Sequence, residues 1–173
     1  LLGLSYPGGP AISAAAQAFE PAISIRQSPT RLPRPMIKER NFDWSFSGLK
    51  TALLRKTQDK TLKEKLGKEF VPRLAGEIQE AISDVLVSKT IRAINQYQPK
   101  SFLLAGGVAA NQRLRNKFQL KFKTNNLSTS FHVPPPSLCT DNAAFVASAA
   151  YFNYQPIAWQ KIMASPNLTI KDF

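Results

Sequence analysis

"SFLLAGGVAANQRLR", Ser101 to Arg115, sets a short apolar run, two glycines and an asparagine ahead of a basic pattern. The apolar run predicts a short buried strand, Gly106-Gly107 a turn, and "VAANQRLRNKFQLKFK" a basic helix. Glycine has no Cβ and a helix start offers unpaired amides, so a ligand can approach the backbone at such a turn. That chemistry suits a nucleotide, and Asn111 adds an amide that both donates and accepts. Taken alone, the pattern reads better as a structural turn, since it is neither GxGxxG nor a P-loop.

Working outward, "STSFHV" predicts a second strand, "PPPSLCTDN" a loop, and "AAFVASAAYFNY" a small-residue helix able to pack on a sheet. Asp141, beside Asn142 ahead of that helix, can cap its amides or hold a hard cation; the cap is the simpler role. Toward the N-terminus, Pro72 opens a helix whose apolar positions Leu74, Ile78, Ala81, Ile82, Val85 and Leu86 keep the helical period to about Gln96. "TLKEKLGKEF" reads as another amphipathic helix. In "FDWSFSGLKTALLRKTQ", Phe42, Trp44 and Phe46 alternate as in an extended segment, and a helix follows with Ser47 as its N-cap. Ser45, Ser47 and Gly48 are candidates to line a pocket. Pro10 opens a short Ala-rich helix with Gly8 and Gly9 at its N-terminus, and "YPGGP" is either a turn or a ligand loop. Residues 20 to 43, with four prolines and five basic residues, read as an irregular basic loop.

The chain has 173 residues, 43% of them hydrophobic, enough for one buried core. Twenty-three Lys and Arg against 11 Asp and Glu give a net charge of +12, which favours a polyanionic partner by neutralising phosphates and releasing counterions. Cys139 is the only cysteine and His132 the only histidine, so neither a disulfide framework nor a thiolate metal cluster is available, and the cytoplasm is the expected compartment. No run approaches the roughly 20 apolar residues of a membrane span. The chain opens on Leu1 with a motif already in progress, and we expect sequence upstream of it.

Four motifs in fixed order, "LLGLSYPGGPAI", "FDWSFSGLKTALL", "LLAGGVAANQRLR" and "PPPSLCTDNAA", together resemble the tRNA adenosine threonylcarbamoyltransferases of the bacterial TsaD type, over Leu1 to about Tyr151. The resemblance implies an α/β fold of the actin-like, sugar kinase and Hsp70 ATPase (ASKHA) superfamily, incomplete here and mainly its C-terminal lobe, with residues 1–173 as the C-terminal part of such an enzyme. It implies transfer of a threonylcarbamoyl group from threonylcarbamoyl-AMP to the exocyclic amine of the adenosine following the anticodon, in tRNAs reading codons that begin with A. By the same resemblance Gly9, Gly106, Gly107 and Asn111 would contact the nucleotide, and Asp141 would complete a site for one divalent metal, iron or zinc. A Lewis acid there would polarise the carbamoyl carbonyl.

The family's two metal-binding histidines and its Ser-Gly-Gly phosphate loop lie in an N-terminal lobe that this chain lacks, and His132 stands in no matching motif. Trp44 stands where relatives often carry Phe or Tyr. No catalytic side chain can be named, and the isolated chain is expected to be inactive. The resemblance implies tRNA as a partner, together with an inactive paralogue and a small P-loop ATPase. Charge alone nominates Arg26, Arg31, Arg34, Arg113 and Arg115 for tRNA phosphates. The alternative is a noncatalytic binding or assembly lobe of the same superfamily.

Overall fold

The computed structural model describes residues 1–18 and 28–167. Among the described residues, six α-helices and two strands follow in order: α1 (Gly8–Gln17), α2 (Ser47–Gln58), α3 (Lys60–Leu66), α4 (Phe70–Tyr97), β1 (Ser101–Leu103), α5 (Gln112–Thr124), β2 (Ser130–His132) and α6 (Ala143–Phe152). Arg26 lies outside the described residues.

α4 is the spine. Its apolar positions fall on one stripe, and it ends where Gln98 turns left-handed (φ 46°) just ahead of Pro99, which cannot continue a helix. Its first half builds a cluster of Phe70, Leu74, Ile78 and Ala81 with Leu32, with Leu49 and Leu53 of α2, and with Leu62 of α3. α1 also packs along α4. Its second half gives Val87, Ile91 and Ile94 to a separate cluster with Leu114 and Phe118 of α5. Each fully buried Leu or Phe contributes about 1.5–3 kcal/mol, so loss of either cluster would unfold the end it holds.

β1 and β2 pair in parallel, with Phe102 opposite Phe131. A parallel pair needs a crossover, and α5 supplies it. Side chains alternate across a strand, so Phe102 and Phe131 turn toward Phe118 and Phe122 of α5, with ring centroids 5.1 to 6.0 Å apart. Leu103 points the other way and is 69% exposed. The strand is therefore half-buried, not buried as its apolar composition suggests, because only one face is covered.

Three further expectations need correction. The aromatic alternation at Phe42, Trp44 and Phe46 forms no strand, since the carbonyls just upstream are bonded by side chains of α4 instead of a ladder. The basic helix starts at Gln112, not Val108, because residues Gly107–Ala110 form a 3₁₀ turn and Asn111 is extended (φ −71°, ψ 109°). α6 packs on no sheet and buries none of its residues. The face of the strand pair opposite α5 stays uncovered, with Ser101, Leu103, Ser130 and His132 exposed.

Candidate functional site

The glycine turn is built by backbone conformation. Gly106 sits at φ 79°, ψ 176°, a region that an L side chain rarely adopts, and Ala109 N–H donates to its carbonyl at 2.9 Å. A Cβ at Gly106 or Gly107 would meet no atom within 4 Å, so the space above this backbone is open to a ligand. The same holds at Gly9, in the first turn of α1.

Asn111 is the N-cap of α5: its Oδ1 accepts from Leu114 N–H at 3.1 Å. Its Nδ2 donates to Gln79 Oε1 at 2.9 Å, and Ser13 Oγ donates to the same oxygen at 3.2 Å. Gln79 of α4 thus joins α1, one turn along from Gly9, to the start of α5. Through this one side chain the residue that follows the first motif, Ser13, is tied to Asn111 of the third. One N–H of Asn111 remains available to a ligand. Gln79 was not read from the sequence, because a polar residue flanking an apolar helical stripe looks like an ordinary boundary residue.

Arg115 makes the next connection. Its guanidinium donates to Ala109 O, to Pro134 O at 2.6 Å and to Cys139 Sγ at 3.1 Å. Only 6% of the residue is exposed. The expected phosphate contact is therefore an internal brace between the glycine turn and the Pro-rich loop. That loop ends at Asp141, which is exposed and has no hydrogen-bond or charge partner among the described residues. The cap of α6 is Asn142, whose Oδ1 accepts from Phe145 N–H at 3.1 Å, so Asp141 does not hold the role given to it as an N-cap. No group of three or more His, Cys, Asp or Glu able to hold a metal occurs among the described residues. Asp141 by itself is not a metal centre, and His132 stays exposed on β2.

Ser45, Ser47 and Gly48 are exposed at the start of α2, with open space around Gly48. Ser47 is the first helical residue and does not cap the helix; the cap position falls on Phe46, and Ser45 Oγ accepts from Ser47 N–H at 3.4 Å. The segment upstream of this loop, Ile37 to Asn41, is fastened by two cations of α4. Lys89 Nζ donates to Glu39 O at 3.0 Å, to Asn41 O at 2.7 Å and to Asn41 Oδ1 at 3.1 Å, while Arg92 donates to Ile37 O and Glu39 O. All three ammonium protons are used, which is how a lysine 1% exposed is tolerated. The signal was present in the sequence: Lys89 falls four residues after Val85, in phase with the apolar stripe.

Acidic residues of α4 neutralise more of the nominated cations. Arg34 pairs with Glu77 and, at 2.9 Å, with Asp84, and only 13% of its side chain is exposed. Arg113 pairs with Glu80, and Lys117 with Glu80 at 2.6 Å and with Asp84. Burial alone would raise the carboxyls of Glu80 and Asp84, but the bonds and charges of Arg113 and Lys117 on one, and of Lys117 and Arg34 on the other, outweigh it and hold both below their ordinary range. Burial pulls the Arg34 guanidinium down, and its two carboxylates more than reverse this, raising it. Arg34 is thus a structural cation and not a phosphate contact. Arg113 is half-exposed but tied, and Arg31 is exposed.

The family model described as TsaD, tRNA N6-adenosine threonylcarbamoyltransferase, matches residues 1–148. Proteins of that same name are similar to this chain. The one from Geobacillus thermodenitrificans is 44% identical over 160 residues, 92% of this chain and 42% of the relative. That from Dehalococcoides mccartyi is 45% identical over 154 residues, 89% and 41%. That from Bacillus cereus is 39% identical over 173 residues, 98% and 47%. The chain therefore spans less than half the length of the curated relatives it matches.

Proposed function

Because this chain belongs to the tRNA N6-adenosine threonylcarbamoyltransferase family, we propose that it is the C-terminal part of such an enzyme, mainly the C-terminal lobe of an actin-like fold, and that it acts in threonylcarbamoyladenosine modification of tRNA. The reaction joins the exocyclic nitrogen of adenosine to the carbamoyl carbon of threonylcarbamoyl-AMP. The bond from that carbon to the phosphate oxygen breaks, AMP leaves, and the nitrogen gives up a proton.

The observation that supports this reading is the direct bonding of the third motif to the fourth, and its link through Gln79 to the residue that follows the first. Gln79 holds Ser13 and Asn111, and Arg115 holds the glycine turn to the loop before Asp141. Open backbone at Gly106 and Gly107, with an amide at Asn111, suits the adenosine and ribose edges of a nucleotide. Holding donor and amine in fixed register would contribute most of the rate, since the amine is a weak nucleophile. Asp141 would give one oxygen to a divalent iron or zinc ion whose remaining ligands come from outside this chain, and the chain alone is expected to be inactive. The inactive paralogue and small P-loop ATPase of the pathway are its proposed partners. No helix among the described residues is long and apolar enough to cross a membrane, and a reducing cytoplasm suits the single buried thiol.

A second reading is a noncatalytic lobe that docks a partner. A transfer assay with and without a supplied N-terminal half separates the two. Activity with both halves, lost on Asp141→Ala, supports the enzyme. Nucleotide or tRNA binding with no transfer in any combination supports the docking lobe.

A further inference from the structure

With Arg34 and Arg115 bonded inside the fold and Arg113 tied to Glu80 at the surface, much of the unpaired positive charge lies on α2, α3 and the 3₁₀ turn after them. Between Lys50 and Lys68 the chain carries seven Lys and Arg against two acids. Lys50, Arg55, Lys60, Lys63, Lys65 and Lys68 are all exposed, and none of their side chains has a hydrogen bond or ion pair with a described residue. Lys56 donates to Pro29 O at 2.8 Å. Of the two acids, Asp59 is committed to capping α3 through Leu62 N–H at 2.9 Å, and Glu64 pairs with no described cation.

Helix stability does not account for this strip. Cations are favoured in a last turn, which covers Arg55, Lys63 and Lys65, but Lys60 opens α3, where the helix dipole opposes it. Lys60 and Lys63, at a spacing of three, also repel one another by a few tenths of a kcal/mol. The two helices follow each other across the single extended residue Asp59, and at 1.5 Å per residue they are about 18 and 10 Å long. α2 starts at Ser47, so the strip runs directly out of the candidate pocket loop.

We infer that α2 and α3 form a phosphate-contact track for the RNA strand of the tRNA substrate; this rests on the proposed tRNA-modifying reading. A bilayer would need an apolar face beside the cations, and Leu49, Leu53 and Leu62 are instead buried against α4. A protein interface core is depleted in lysine, whereas phosphate binding selects for it.

The test is binding of the 173-residue chain to a labelled tRNA transcript across a salt series, for the parent, for Lys60→Gln/Lys63→Gln/Lys65→Gln, and for the α5 control Lys121→Gln/Lys123→Gln. All five side chains are exposed, and thermal melting confirms folding. Each lost phosphate contact removes about 0.7–0.9 from the slope of log K against log salt, so the triple variant should flatten it by about 2–3 and weaken binding at least tenfold at physiological salt. The control should change the slope less than half as much. Parent binding with an unchanged slope in the triple variant overturns the track and leaves the tRNA reading standing, as does an equal loss in the control. A parent that ignores tRNA, or prefers vesicles containing phosphatidylserine, overturns both.

Discussion

Arg115→Met is the substitution on which the account of the site depends most. Methionine keeps much of the volume and removes every donor, leaving the carbonyl of Ala109, a residue with no exposed surface, and that of Pro134 without their partner. A hydrogen bond to a charged group contributes about 1.5–3 kcal/mol when lost, so two of them give about 3 kcal/mol or more. For a chain of this size that lowers Tm by about 6–12 °C. Denaturant unfolding monitored by circular dichroism reads the loss. The Cys139 thiol, buried against the same guanidinium, gives an independent reading, because it should label faster with a thiol reagent once the loop is released. Arg115→Lys, which keeps the charge but not the fork, should fall between the parent and Met. A loss below about 1 kcal/mol with unchanged Cys139 labelling would refute the brace and return Arg115 to the surface.

Gln79→Ala should lower stability by about 1–2 kcal/mol, and in a double-mutant cycle with Asn111→Ala the two losses should couple by at least 0.5 kcal/mol; strict additivity would mean that the bridge carries no energy. Asn142→Ala should destabilise by about 1 kcal/mol as a lost cap, while Asp141→Ala should stay within about 0.5 kcal/mol in urea unfolding; the reverse order would make Asp141 the cap after all. The lowered carboxyls of Glu80 and Asp84 set the acid limb. Their stabilisation is full above the ordinary values of 4.5 and 3.8 and is lost as pH falls through the lower folded values, where the unfolded chain binds protons first. Urea midpoints measured from neutral pH downward should drop below about pH 4.5, and Glu80→Gln with Asp84→Asn should flatten that drop; a midpoint rising with acid would contradict the sign.

Elements with a long apolar period were legible in the sequence. α4 keeps its stripe over seven turns, and its predicted stop at Gln96 lies one residue from the observed end at Tyr97. Short elements depend on neighbours that periodicity does not contain. The aromatics at Phe42, Trp44 and Phe46 alternate like a strand, yet an alternating segment becomes one only when a ladder partner exists, and here Lys89 and Arg92 take the adjoining carbonyls. The glycine turn was visible because φ near 79° selects residue type, whereas Asn111 was noticed for its amide and not for the cap it forms, the helix being read from Val108. The misassigned arginines show the opposite case. Composition records a positive charge but not the carboxylate facing it, and Glu77 and Asp84 lie 43 and 50 residues from Arg34. The bonds of Gln79 and Lys89 were equally hidden, since their partners lie 32 to 66 residues away.

One uninterrupted helix, α4, carries both apolar clusters, so the two ends of the molecule open on a shared axis of about 42 Å. Releasing the β1–α5–β2 end bares Val87, Ile91 and Ile94 but leaves Leu74 and Ile78 covered, and the converse release leaves the C-terminal turns covered. Either half can therefore fray alone, while the amides between Ala81 and Val87 exchange with deuterium only when both covers are lost. The middle of α4 becomes the slowest-exchanging segment and reports global unfolding, and its two ends keep separate clocks.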